Sequence, residues 1–210
     1  MPKRNYELQK NNLSLSAALT LGEACDKINS KKLQKKVIKL AEALLVEATE
    51  KEKATLYNLL EKYLYEFSQW EKTDVDENGL YNYEWLDCYF TEQNRYPYLI
   101  KVDGKLAGFI LISDYPEVPE ETTDFCLSEF FIMHKYRRNG YGRSAVFQVL
   151  DKHHGKWQLK RHPHNTVSVY FWNSVINEYT KGNYRLVENY PNREVDYDDG
   201  TPADVFFFEN

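Results

Sequence analysis

Cysteine is scarce. The chain has three in 210 residues (Cys25, Cys88 and Cys126), widely spaced and with no CxxC pair. That excludes a disulfide framework and fits a reducing compartment, so the cytoplasm is the expected location. No apolar run reaches the ~18 residues that cross a bilayer. The basic opening Met1-Pro2-Lys3-Arg4-Asn5 is not followed by an apolar stretch, so a secretory leader is not expected. Internal repeats and low-complexity segments are absent. Neither the P-loop pattern GxxxxGK[ST] nor GxGxxG occurs, which removes the commonest nucleotide-binding loops from consideration.

What is present is the composition of a globular protein, 42% hydrophobic and 28% charged, with aromatics raised to 15%. The net charge of −5 is unevenly spread. Residues 1–40 carry nine Lys/Arg against three Asp/Glu, and the remainder is acidic. A basic arm can touch an anionic surface, but charge alone seldom marks a partner, and a solvated helix face is the plainer reading. The acidic body argues against a nucleic-acid enzyme and suits a cationic substrate.

Residues 13–29 and 31–45 read as helices, with Leu44-Leu45-Val46 equally able to open a strand. Thr49 and Glu52 have capping-box spacing, and Leu56, Leu60, Tyr63 and Phe67 give the next helix one apolar face to about Trp70. The Tyr/Trp-rich stretch 81–90 reads as a second helix. The period then changes. Tyr98–Val102, the turn Asp103-Gly104 and Lys105–Ser113 form a hairpin. A strand Phe125–Met133, a helix Arg143–His154, a strand Lys156–Lys160 and a helix Thr166–Thr180 follow. The apolar face of the last helix falls on Val167, Phe171, Val175, Ile176 and Tyr179. Tyr184–Val187, Glu194–Tyr197 and Val205–Glu209 are closing strands. This order predicts a mixed α/β sheet.

The chemistry concentrates in Glu129 to Ser144. A buried strand runs into a tight basic turn and a helix starts at once, so backbone N–H groups at a helix N-terminus face an anion. Gly140 and Gly142 allow close backbone approach or a positive φ. Arg137, Arg138 and Arg143 add charged donors for a phosphate, and Asn139, Tyr141 and Ser144 complete the loop.

Tyr136-Arg-Arg-Asn-Gly-Tyr-Gly142 resembles motif A of the GNAT acetyltransferases, Q/R-x-x-G-x-G/A. Downstream, Asn165-Thr-Val-Ser-Val-Tyr-Phe-Trp172 is similar to the family's Asn-x-x-A-x-x-hydrophobic-Tyr motif. The longer run Phe-Trp-x-x-Val-Ile-x-x-Tyr-Thr is similar to a bacterial predicted-acetyltransferase subgroup without assigned substrates. The resemblance covers roughly residues 41–210, leaving 1–40 as a basic helical extension.

The resemblance implies the GNAT fold, a mixed, mostly antiparallel sheet splayed near the coenzyme, with helices on both faces. It implies acetyl-CoA as cosubstrate, an amine as acceptor and a ternary complex. The loop amides would hold the pyrophosphate, and the backbone of Phe131, Ile132 and Met133 would pair with the pantetheine arm. Asn165 and Trp172 fall on the second motif. Trp172 departs from the family's tyrosine, and an indole N–H supplies no useful proton to a leaving thiolate.

Amine attack needs a base. Glu129 is preferred, because a carboxylate among Phe125, Leu127, Phe130 and Phe131 is costly unless paired or used. A structural ion pair remains its alternative. Asp124 and Glu84 are weaker candidates. Tyr81, Tyr83, Trp85 and Tyr89 serve either as core or as an acceptor pocket. Cys126 reads as core. His162-Pro163-His164 has no third ligand in sequence, so these read as surface histidines, and no metal is expected. His153-His154 suit a helix C-terminus.

Two rival readings stay open: a GNAT-fold module that binds acyl-CoA without catalysis, and an interaction protein whose basic arm meets nucleic acid. No membrane partner is expected, nucleic acid is disfavoured, and a homodimer is left open.

Overall fold

The computed structural model describes residues 43–210; the expected helices 13–29 and most of 31–45 lie outside them. Seven strands form one sheet in the order β1-β2-β3-β4-β5-β7-β6. They are β1 (Leu44–Glu47), β2 (Tyr96–Val102), β3 (Lys105–Ser113), β4 (Phe125–Ile132), β5 (Lys156–Arg161), β6 (Tyr184–Val187) and β7 (Asp204–Glu209). Every neighbouring pair is antiparallel except β4 with β5. Leu44 to Glu47 therefore resolve to a strand, correcting the helical reading that ran to residue 45.

Thr49 and Glu52 form the expected capping box, which starts a 3-10 turn leading into α1 (Lys53–Glu71). The 81–90 stretch is mostly turns, with only a single helical turn, α2 (Cys88–Thr91). Asn82 takes φ +57°, and Glu61 of α1 accepts the amides of Tyr81 and Asn82 at 2.8 and 2.9 Å. Those bonds offer the backbone a partner outside a helix. The β2–β3 hairpin turns at Asp103-Gly104, both in left-handed backbone. The strand expected at Glu194–Tyr197 is a 3-10 turn instead, because the Asn192 side chain accepts the Glu194 amide.

One face of the sheet packs on α3 (Tyr141–Lys152) and α4 (Thr166–Thr180) through Ile110, Ile132, Val146, Val149, Trp172 and Ile176. Leu56, Leu60, Phe109, Leu111 and Phe131 hold α1 to the other. Successive β4 side chains alternate between these layers, as the pleat requires. Phe130 and Ile132 point to α3 and α4, and Phe131 points to α1. Val167, expected on the apolar face of α4, is 63% exposed, and Trp172 takes its share of the burial.

Candidate functional site

β4 and β5 pair only at Phe125↔Trp157 and Cys126↔Gln158. From Leu127 onward, the edge of β4 that faces β5 has no strand partner, and the sheet opens into a cleft. A bulge sits at the same point: Glu129 pairs with Leu111 and Leu127 with Ile112, leaving Ser128 between them. Beyond the splay, Arg161 ties β5 to β7 and α4. Its guanidinium meets Asp204 at 3.0 Å with both side chains buried, and it donates to Val169 O and Asn173.

At one end of the cleft, β4 runs through a turn at His134–Tyr136 into the basic loop. Arg138 takes φ +61° and Gly140, the N-cap of α3, takes φ +79°. Gly140 is needed there because left-handed backbone strains other residues. The first intrahelical bond is Ser144 N to Gly140 O at 3.0 Å, so the amides before it have no helical acceptor. Those amides lie where the sequence places its expected anion site.

The arginines divide differently from the expectation. Arg137 donates to Ile132 O and to Glu66 of α1 at 2.6 Å, and Arg143 is held by both carboxylate oxygens of Glu178. Only Arg138, exposed at the loop's tip, has no ion pair among the described residues. Asn139 braces the turn by donating to Arg137 O. Gly142 turns the Cβ position toward the core, while its amide is among those before Ser144. A Cβ there would lie 3.1 Å from Phe130 and 3.3 Å from Phe171, so its role is the close packing of α3 on the core.

Phe131 and Ile132 bury their side chains in opposite layers, and Met133 is partly buried against the α1 layer. Of their backbone groups, the Met133 amide donates to Ala107 O at 2.9 Å and the Ile132 carbonyl accepts from Arg137. Tyr141 and Ser144 are half-buried in the first turn of α3. Asn165 caps α4 by accepting the Ser168 amide at 3.1 Å. Trp172 is 5% exposed, packed edge-on against Phe130 and Phe171, so its expected coenzyme contact gives way to a core role. Beside the loop, a cleft of about 270 Å³ is lined by Val102, Asp103, Lys105, Lys135, Tyr136, Asn139 and Tyr141.

On the α1 side, Glu129 lies at the bulge with the phenols of Tyr63 and Tyr83 beside it. Burial pushes its carboxyl up to about 7, with the charges of Glu117 and Glu71 adding to the rise, while the two phenols oppose it. Its polar neighbours hold no guanidinium or ammonium, so the ion-pair alternative finds no partner among the described residues. The other carboxylates separate from it. Asp124 accepts the Lys156 amide at 2.8 Å at the paired end of β4 and β5, which is a structural task, and Glu84 is exposed on the turn segment. Of the four aromatics, Tyr83 and Tyr89 approach Glu129. Tyr81 instead bonds Ser68, and Trp85 is 59% exposed. Cys126 is buried core, as expected.

Two histidine readings need correction. His153 is the C-cap of α3 as expected, but its ring is buried and bonded to the Tyr98 hydroxyl at 2.8 Å. His162, just past β5, is 1% exposed, and the third ligand missing from the local sequence is supplied by Asp199. The geometry nevertheless disfavours a metal. His162 Nδ1 accepts the His164 amide at 3.2 Å, which puts the proton on Nε2, the nitrogen facing Asp199. A protonated nitrogen has no lone pair to give.

Sequence reading missed Glu66, Glu71, Tyr197, Asp199 and the burial of His162. The one available signal was Tyr63, Phe67 and Trp70 on a single helix face, which read simply as core.

A sheet that parts beside a bulged strand, above a helix N-terminus with unpaired amides, places this chain in the class of acyltransferases. The model of the acetyltransferase (GNAT) family matches residues 53–175, and the chain belongs to that family. The fold is shared with a GNAT-family acetyltransferase from Streptococcus agalactiae (TM-score 0.58, 16% identity, covering 80% of this chain and 95% of that one). It is shared also with an acetyltransferase from Thermus thermophilus (0.54, 16%, 81% and 99%). A third likeness is to AAC(6')-Ib in complex with paromomycin and acetyl-CoA (0.54, 15%, 80% and 94%). No curated protein sequence matches the chain. No helix among the described residues is long and apolar enough to cross a membrane.

Proposed function

We propose that the chain is an N-acetyltransferase that moves the acetyl group of acetyl-CoA to a primary amine by direct attack in a ternary complex. The observation that carries this reading is a carboxylate tuned to about 7 at the bulge where β4 loses its strand partner. The amides of residues 138–143 hold the pyrophosphate, with Arg138 as the charged donor, and the free edge of β4 around Phe131 to Met133 receives the pantetheine arm. Lys105 and Lys135, in the adjoining cleft, suit the coenzyme's remaining phosphate.

With the thioester against β4, the attacking nitrogen approaches from the α1 side. Glu129 takes a proton from the ammonium, directly or through one water, and the neutral amine attacks the carbonyl. A β4 amide stabilises the oxyanion. The tetrahedral adduct collapses with loss of the coenzyme A thiolate, and the second proton of the attacking nitrogen passes through water to that thiolate, giving the neutral amide and free coenzyme A. Residues 41–210 constitute the catalytic domain and 1–40 an extension outside the reaction. Free Cys88 and Cys126 support a reducing compartment, the cytoplasm.

Calorimetric titration with acetyl-CoA, followed by thiol detection of coenzyme A release over an amine panel, tests the reading. Saturable binding with amine-dependent release is expected. Binding without release from any amine favours the second reading, a coenzyme-binding module. That alternative draws on Trp172, buried where the family often places a tyrosine.

A further inference from the structure

We infer that His162, Asp199 and Glu71, floored by the aromatic face of α1, form a distal subsite of the acceptor pocket that takes an extended, hydroxylated polycationic amine. This rests on the acetyl-transfer reading and names the substrate class of that site.

The floor is continuous. Tyr63 stands beside Glu129, Phe67 lies 5.1 Å from Tyr63, and Trp70 lies 5.5 Å from Phe67. At the far end the His162 ring packs 5.9 Å from Trp70 and 4.5 Å from Tyr197. Seven residues of helix separate Tyr63 from Trp70, about 10 Å of rise. An acceptor that reaches both ends is therefore longer than a simple monoamine.

The charge of the groove comes from several segments. Glu129 of β4, Glu117 of the loop after β3, Glu71 at the end of α1, and Asp198 and Asp199 before β7 act on one another across it. Lys160, 3.7 Å from Glu117 and 4.6 Å over the Tyr197 ring, offsets two of them, Glu117 and Glu71. Repelling carboxylates over aromatic faces are a setting for organic cations.

An acidic groove alone names no ligand, but His162 adds an independent observation. Its Nε2 is buried and has no hydrogen-bond partner among the described residues. With Nδ1 accepting from His164, Nε2 carries a hydrogen that requires an acceptor. The Asp199 carboxylate stands 3.7 Å away, too far to take it directly. One hydroxyl oxygen, about 2.8 Å from each, accepts from Nε2–H and donates to Asp199. The Thr201 amide and hydroxyl fix that carboxylate from behind, both at 2.8 Å. An ammonium can satisfy Asp199 but not the histidine, so the distal group is a hydroxyl flanked by cationic nitrogen. Amino sugars of about two rings have that chemistry and length.

The test is calorimetric binding of neamine, spermidine and hexylamine to the full chain without coenzyme, followed by turnover with acetyl-CoA. Neamine is expected to bind about tenfold tighter than spermidine, and hexylamine not to saturate. Asp199→Asn, an exposed position, should weaken neamine about tenfold. His162→Phe should abolish the preference over spermidine, whereas His162→Gln, which keeps an N–H, should retain part of it. Equal kcat/KM for hexylamine and neamine would overturn the subsite, as would unchanged neamine binding in Asp199→Asn. So would a Zn²⁺-dependent rise in Tm that Asp199→Asn removes, because it would make the cluster a metal site. If neamine binds as described but no amine releases coenzyme A, the transfer chemistry fails and the subsite stands.

Discussion

On the function proposed above, the two sides of the cleft recognise their ligands by different means. On the coenzyme side the work falls to backbone: the unpaired edge of β4 and the orphan amides before Ser144, with two of the three nearby arginines committed to Glu66 and Glu178. On the acceptor side it falls to side chains from α1, β4, β5 and the segments before β4 and β7. Backbone recognition tolerates many side chains as long as the turn is kept. Side-chain recognition changes with each substitution. A family can therefore hold its coenzyme constant while its acceptors diverge.

The sharpest way to separate the two sides is Glu129→Gln. On the proposed mechanism kcat/KM falls by roughly 10²–10⁴ while acetyl-CoA affinity stays within about twofold. Wild-type activity should rise as pH passes about 7 and the carboxylate ionises, and the variant should lose that step. A variant with full activity and an unchanged pH profile would leave Glu129 without a chemical role.

On the coenzyme side, Gly142→Glu and Arg138→Glu should fail differently. The first drives a charged side chain into Phe130 and Phe171 and should cost more than about 3 kcal/mol, with or without ligand. The second should leave Tm unchanged and weaken acetyl-CoA about tenfold. If Gly142→Glu melts like the wild type and loses only the coenzyme, the packing role is wrong.

A subtler effect runs through stability. The Glu129 carboxyl is raised in the folded protein from its ordinary 4.5 to about 7. Between these values the folded state holds a proton that the unfolded chain has lost, so rising pH destabilises the wild type until about pH 7. A glutamine side chain does not titrate, so the Glu129→Gln variant should gain on the wild type across that window. The gain should reach the order of 1–3 kcal/mol above pH 7, read as urea midpoints against pH. A flat difference would place the carboxylate in open solvent. The smallest effect belongs to removal of residues 1–40, which should leave acetyl-CoA affinity within about twofold; loss of folding would join the extension to the core.

Much of the fold was legible. The Thr49 capping box, the Asp103-Gly104 hairpin and the helix at Thr166–Thr180 depend on neighbours in sequence, and each appears where expected. The misreadings have separate causes. Residues 81–90 have helical spacing, yet Glu61, some twenty residues away, captures their amides. Val195 lies in a 3-10 turn because the Asn192 side chain caps it. The packing demand on Gly142 was hidden because Phe130 and Phe171 cannot be seen above it in one dimension.

The sequence by itself determined the turn proposed as the anion cradle, since a strand, a tight glycine turn and a helix start are consecutive, and the helix end supplies its donors from local geometry alone. Tertiary structure alone decided the acceptor side. A carboxylate's proton affinity depends on what surrounds it in space, and Tyr63, Glu71, Tyr83, Glu117, His162 and Asp199 come together only when the sheet has formed and α1 has packed across it.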